Sequence, residues 1–98
     1  MIRNATKEIT KIDVDVLLET LLDRGCKLVV HNDEVNTFEW IIDSLVEICK
    51  HSPQQAEQCA YIIHFNGSYA VKTGTEDELK PMREALVDRD IGATIEYD

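Results

Sequence analysis

The sequence predicts a small α+β domain, a sandwich in which three helices pack on a three-stranded sheet in the order β-α-α-β-α-β. Two patterns predict this class. Short apolar or alternating runs, typical of strands, are interspersed with segments whose apolar residues recur at helical spacing. The chain has 98 residues, 44% of them hydrophobic, which suffices for one core but not for two. We therefore expect a single layer of helices on a small antiparallel or mixed sheet.

The first strand is predicted at residues 26–31, where an apolar run leads into a polar, acidic loop. A helix follows, with Asn36 as the expected N-cap, Glu39 completing a capping box, and an end near Lys50. The apolar residues of this first helix have the spacing of one helix face: Phe38, Ile41, Ile42, Leu45 and Cys49.

The second helix has a clear start signal in residues 52–55, where Ser52 fits the cap and Pro53 the first helical position. It should end near His64 and Phe65, since Asn66-Gly67 is a turn dipeptide. One face of this helix carries small and apolar residues: Ala56, Cys59, Ala60 and Ile63.

A second strand is predicted at residues 68–73, with Tyr69 and Val71 on one face and Ala70 and Lys72 on the other. The third helix should be capped by Thr75. Pro81 lies past its first turn, so the helix either bends there or begins nearer Glu78. Residues 93–97 form the predicted last strand.

The sequence divides into residues 1–24, expected to be a mobile N-terminal extension whose first 12 or so residues are polar, and a core domain, residues 25–98. Within the extension, residues 13–24 fit either a short helix or an extended arm. No signal peptide and no membrane-spanning stretch is expected.

The charge balance argues against nucleic acid and favours cationic partners. Ten Lys and Arg residues face 19 Asp and Glu residues, a formal net charge of −9. Binding to phosphate groups needs the opposite sign. Cys26, Cys49 and Cys59 form no CxxC motif, which indicates reduced, buried thiols and a cytoplasmic location.

The loop after the first strand carries the candidate polar site: Asn32, Asp33 and Glu34, with His64 from the end of the second helix. Amide oxygen, carboxylate and neutral imidazole all accept hydrogen bonds, so together they suit a bound ammonium group. The alternative is that Asn32 and Asp33 only shape a turn while His64 caps its helix.

Apolar side chains could form a pocket beside this polar group: Phe38, Ile41, Ala60 and Ile63. On helices such residues are more often plain core. Ala60 is a small residue among larger ones, which would leave space for a ligand.

Two chemical alternatives have weaker support. Cys59 and His64 could form a nucleophile and base, although no nucleophile signature surrounds them. His31, Asp33 and His64 could bind a metal, although their spacing matches no metal motif. No phosphate-binding loop occurs either, so the sequence indicates no cofactor.

Two motifs, VVHNDEVNTFEWIIDSL and AEQCAYIIHFNG, resemble the ClpS adaptors of the bacterial Clp protease. The resemblance spans roughly residues 26–97. It implies an adaptor rather than an enzyme, one that binds substrates by an N-terminal Phe, Tyr, Trp or Leu. Such adaptors deliver these substrates to an AAA+ unfoldase of the ClpA or ClpC type, coupled to the ClpP peptidase.

The resemblance also implies roles for individual residues. Asn32, Asp33 and His64 match the positions that hold the free α-amino group, with Glu34 beside them. The pocket walls match Phe38, Ile41, Ala60 and Ile63, and the pocket edge matches Val35, Asn36 and Thr37. Residues 1–24 are similar to the extension that engages the unfoldase.

The chain departs from the family pattern where the pocket forms. Many members have Thr-Pro-Met where this chain has Asn36-Thr37-Phe38, and many have Met in place of Ala60. The fold recurs in a ribosomal stalk protein, so a protein-docking or scaffold domain without such a pocket is the alternative function.

Overall fold

The computed structural model describes residues 25–97, and the predicted order of strands and helices is confirmed. The elements are β1 (Cys26–His31), α1 (Phe38–Cys49), α2 (Pro53–Asn66), β2 (Ser68–Gly74), α3 (Glu76–Asp88) and β3 (Ala93–Tyr97). The predicted extension, residues 1–24, and the alternatives for residues 13–24 lie outside the described residues. Within the described part, no helix is both long enough and apolar enough to cross a membrane.

The sheet has the order β2-β1-β3, and β1 pairs antiparallel with both neighbours. The most apolar strand therefore lies at the centre. Its residues Cys26, Leu28 and Val30 are buried and join the core that the helices cover. Leu45, Leu79, Leu86 and Ile91 complete the middle of that core.

The prediction that β2 simply alternates is wrong, because the strand contains a bulge. Leu28 pairs with Lys72 whereas Val29 pairs with Ala70, so Val71 is an extra residue in β2. Val71 is buried in the core, and Lys72 is opposite the buried Leu28, on the helix-covered face. The Lys72 ammonium donates a hydrogen bond to the carbonyl of Cys49, 3.0 Å away at the end of α1.

The predicted N-cap of α1 is wrong by one residue. Thr37, not Asn36, is the cap, and its Oγ1 accepts a hydrogen bond from the Trp40 N–H at 3.1 Å. The Asn36 side chain instead donates to Asp33 and to the carbonyl of Asp90. The helix ends at Cys49, followed by Lys50 in the left-handed conformation.

The other two helices begin as predicted. Ser52 caps α2 by accepting from the Gln55 N–H, and Thr75 with Glu78 forms a full capping box for α3. Since α3 begins at Glu76 and contains Pro81, a start nearer Glu78 is wrong. Proline there removes one helical N–H and crowds the carbonyl of Asp77, four residues before it, while the capping box stabilises the turn that precedes it.

Gly67 ends α2 in a backbone conformation that side chains disfavour, with φ 89°. We expect Gly67→Ala to lower the free energy of unfolding by about 1 kcal/mol, because the left-handed region is strained for L-residues. A Cβ at Gly67 would meet nothing within 4 Å, so the loss would come from the backbone rather than from a clash. Urea unfolding measures it.

Gly92→Ala is the matched control for this prediction. A Cβ at Gly92 would lie 3.6 Å from the His31 Cβ, an ordinary contact, and its φ lies outside the left-handed region. Alanine there should be neutral or slightly stabilising, by up to about 1 kcal/mol. Equal losses in the two variants would contradict the conformational argument.

Candidate functional site

A pocket of about 440 Å³ opens between α1, α2 and the loop after β1. The structure brings ten of the eleven predicted site residues to it: Asn32, Asp33, Glu34, Asn36, Thr37, Phe38, Ile41, Ala60, Ile63 and His64. Val35 does not line it; its side chain is 84% exposed in the loop. His31 also lines the pocket; it was considered only as a metal ligand, although its place at the end of β1, before Asn32, could have indicated the pocket.

Asp33 organises the loop from its own side chain. Its Oδ1 accepts from the backbone N–H groups of Val35 and Asn36, both at 2.7 Å, and its Oδ2 accepts from the Asn36 amide at 2.6 Å. The turn-forming role that was the alternative for Asp33 is therefore real. It does not exclude binding, because a carboxylate has about four acceptor positions and only three are used.

The same hydrogen bonds favour the charged form of Asp33. They lower the pKa of this carboxyl, chiefly through the backbone N–H of Asn36, against a smaller opposing effect of burial. The carboxylate therefore remains negatively charged into mildly acidic solution.

The loop is also tied to the corner between α3 and β3. The Asn36 amide donates to the carbonyl of Asp90 at 2.8 Å. Trp40, one turn into α1, donates from its indole N–H to the carbonyl of Arg89 at 3.1 Å, and the Arg89 guanidinium lies 5.2 Å from the centre of the Trp40 ring. Sequence reasoning missed this anchor, since its partners are about 50 residues apart.

Backbone hydrogen bonds bring Asn32 towards the end of α2. The Asn32 N–H donates to the carbonyl of Gly67 at 2.8 Å, and Gly67 directly follows α2. His64, in the last turn of that helix, is exposed and lines the same pocket. The three predicted acceptors, Asn32, Asp33 and His64, thus meet at one pocket.

The apolar wall belongs to both the core and the pocket. Ile41, Ala60 and Ile63 are buried members of the core and also line the pocket. Phe38 is half-exposed, with its ring centre 5.1 Å from that of Tyr61 and 5.2 Å from that of His64. Both interpretations, plain core and pocket wall, therefore hold for Ile41, Ala60 and Ile63, whereas Phe38 belongs to the pocket wall and not to the core.

The cysteine that was considered as a nucleophile lies elsewhere. Cys59 is buried, with its Sγ 3.9 Å from the Nδ1 of the buried His51, whereas His64 is exposed. Burial raises the pKa of the Cys59 thiol and lowers that of His51, so both neutral forms are favoured. Among the described residues, no group of three or more His, Cys, Asp or Glu side chains could hold a metal ion.

Comparison with known proteins agrees with this architecture. Residues 23–93 match the sequence model of the family described as ATP-dependent Clp protease adaptor protein ClpS. No curated protein matches the chain.

Among solved structures, that of Agrobacterium tumefaciens ClpS2 bound to L-phenylalaninamide superposes with a TM-score of 0.70. It is 18% identical, and the match covers 78% of this chain and 99% of that one. At this identity the match shows a shared fold, a three-stranded antiparallel sheet covered by three helices. The family match, which spans most of the chain, shows that this protein belongs to the ClpS family of Clp protease adaptor proteins.

Proposed function

We propose that this protein binds substrates by a free N-terminal Phe, Tyr, Trp or Leu and delivers them to a Clp AAA+ protease. The observation that supports this most is a pocket with an apolar wall and hydrogen-bond acceptors on the same lining. An N-terminal residue has both matching parts, a side chain and, two bonds away, an ammonium group.

The apolar part of the pocket would receive the side chain of the first residue. Ile41, Ala60 and Ile63 offer carbon surface, and Phe38 borders it with an aromatic ring. Burying a Leu or Phe side chain contributes about 1.5–3 kcal/mol. A β-branched first residue should fit less well, because its Cβ is wide where the pocket meets the polar rim.

The polar part would receive the ammonium group. Asn32 and Asp33 have oxygens that accept hydrogen bonds, and the neutral His64 imidazole has a nitrogen that does so. A hydrogen bond to a charged group contributes about 1.5–3 kcal/mol. Two or three of these, added to the apolar contribution and reduced by the cost of association, correspond to a Kd near 1 µM, about −8 kcal/mol.

Family membership supports the partner. We propose an unfoldase of the ClpA or ClpC type as the receiver, with a cytoplasmic location and no part for nucleic acid or membrane. The adaptor itself would perform no catalysis. Phenylalaninamide, the ligand of the Agrobacterium protein, has a free amine and a benzyl side chain, the same two parts that this pocket would accommodate.

The main alternative is a scaffold domain that uses this fold without recognising N-terminal residues. Such a domain would have no reason to combine an apolar pocket with an anchored acceptor loop, so the geometry favours the adaptor.

A free N-terminus should be essential for binding. We expect a peptide beginning with Leu or Phe to bind with a Kd of roughly 1 µM, and its N-acetylated twin to bind at least about 10-fold more weakly. The acetylated nitrogen loses its charge and two donors, which leaves acceptors unpaired. Fluorescence anisotropy with the two labelled peptides measures the difference.

Asp33→Asn tests whether the peptide binds in this pocket. It should weaken binding of the free peptide by about 10-fold, since one charged acceptor is lost. Asp43→Asn, which removes an exposed carboxylate of α1 outside the pocket, is the control. Equal affinity for the free and acetylated peptides would contradict the proposed recognition of the N-terminus.

His64→Ala should weaken binding of the free peptide by about 10-fold, because the side-chain nitrogen that would accept a hydrogen bond from the ammonium group is lost. His64 is exposed, so the fold should tolerate the substitution. Fluorescence anisotropy with the labelled peptide measures the loss.

His64→Gln keeps a side-chain acceptor, so it should lose less affinity than His64→Ala. His31→Ala separates the contribution of the second imidazole in the pocket. Unchanged affinity in both alanine variants would show that neither imidazole accepts from the amine.

The size of residue 60 should set the order of preference among first residues. Ala60 is buried in the pocket wall, so Ala60→Met would fill part of the space. We expect affinity for a Trp peptide to fall by about 10-fold relative to a Leu peptide, because the larger side chain is overpacked.

Ala85→Met is the control for this substitution, since Ala85 is half-buried on α3 and does not line the pocket. An unchanged ratio of Trp to Leu affinity in Ala60→Met would show that the first side chain does not reach this wall.

A further inference from the structure

The outer face of α2 carries two aromatic residues one helical turn apart. Tyr61 is 49% exposed and Phe65 is 77% exposed. Their rings are nearly parallel, with an interplanar angle of 10° and centres 6.4 Å apart. We call this pair the aromatic ledge. Two large apolar side chains exposed side by side form a patch that is suited to contact rather than to water.

The aromatic ledge is continuous with the pocket. The His64 ring, which lines the pocket, has its centre 5.2 Å from that of Phe38 and 5.2 Å from that of Phe65. Phe38 also contacts Tyr61, with centres 5.1 Å apart. The pocket wall and the aromatic ledge are therefore joined by direct ring contacts on both sides.

The spacing of the contacts matches an extended peptide. In an extended chain, alternate side chains point the same way and lie about 7 Å apart. If the first side chain enters the pocket, the second points away from the protein and the third points back to it. Tyr61 is one ring contact of 5.1 Å from Phe38 of the pocket wall. Phe65 is one ring contact of 5.2 Å from His64, which also lines the pocket, so the aromatic ledge is within reach of the third side chain.

The two aromatic rings of the ledge favour a planar side chain as their contact. Aromatic faces attract other aromatic rings in offset or edge-to-face contact, and they attract the guanidinium group of arginine. The pocket lining also includes the carboxylates of Asp33 and Glu34, which give an aromatic ring no comparable surface.

We infer that Tyr61 and Phe65 form a second subsite, which binds a planar side chain, aromatic or arginine, at the third position of the substrate. This inference rests on the proposed binding of the first residue in the pocket. It makes specificity depend on the third residue as well as the first.

The test compares peptides that begin Leu-Ala-Ala, Leu-Ala-Trp and Leu-Trp-Ala and are otherwise identical. Leu-Ala-Trp should bind about three- to tenfold more tightly than Leu-Ala-Ala, the range typical of an aromatic pair. Leu-Trp-Ala should bind within about twofold of Leu-Ala-Ala, because its Trp points away. An advantage at the second position instead, or no advantage at either, would overturn the inference.

Phe65→Ala tests the assignment to the aromatic ledge. In this variant the ratio of Leu-Ala-Trp to Leu-Ala-Ala affinity should fall to less than about twofold. Phe65 is exposed, so the fold should tolerate its truncation. Tyr97→Ala, which removes an exposed aromatic ring at the far end of β3, should retain the full ratio. Retention in Phe65→Ala would overturn the inference.

Acetylated Leu-Ala-Ala separates this result from the proposed function. If the free and acetylated forms bind alike, recognition of the N-terminus fails, and the subsite fails with it. If only the free form binds and the third residue has no effect, the subsite alone fails.

Discussion

The site depends on two backbone hydrogen bonds at the end of the central strand. The His31 N–H donates to the carbonyl of Gly92 at 2.9 Å, and the Asn32 N–H donates to that of Gly67 at 2.8 Å. These two bonds join the C-terminal end of β1 to Gly92, which precedes β3, and to Gly67, which follows α2. Because Gly67 directly follows the helix that carries His64, the polar loop and the helix end must share one opening. Without these two hydrogen bonds, the acceptors of the loop and His64 would lie on separate parts of the protein surface.

Hydrogen bonds within the domain hold the loop in place, which bears on affinity. Asp33 already accepts three hydrogen bonds, and Asn36 joins it to the corner at Asp90, itself in a left-handed conformation with φ 63°. Ordering a loop on binding subtracts from affinity, so a loop ordered by folding retains more of its interaction energy. The position of the Asp33 carboxylate is therefore set by contacts within the domain.

The sequence predicted what depends on neighbours along the chain and failed where distant partners decide. Ser52 and Thr75 were identified as caps because capping is local. Asn36 was misassigned because its amide is engaged by Asp90, 54 residues away, and the bulge at Val71 follows from strand pairing. Ten of the eleven site residues line the pocket, since the two motifs lie on elements that pack together. The contact between Trp40 and Arg89 forms only where the turn after α3 lies beside α1, and no local sequence pattern predicts that arrangement.

One face of α2 contributes to both the core and the pocket, which couples stability to the proposed recognition. Ala56, Cys59, Ala60 and Ile63 are buried in the core, and the last two also line the pocket. A larger side chain at position 60 would improve packing only by occupying the space that a ligand needs. An unfilled pocket of this kind lacks the van der Waals contacts that a larger side chain would make there. Contacts outside the pocket fix α1 against α3: Arg89 donates to the buried Ser44 at 3.2 Å and to Glu47 at 2.8 Å, which joins the end of α3 to α1. Because none of these three residues lines the pocket, the volume of the pocket can change at Ala60 while these contacts are preserved.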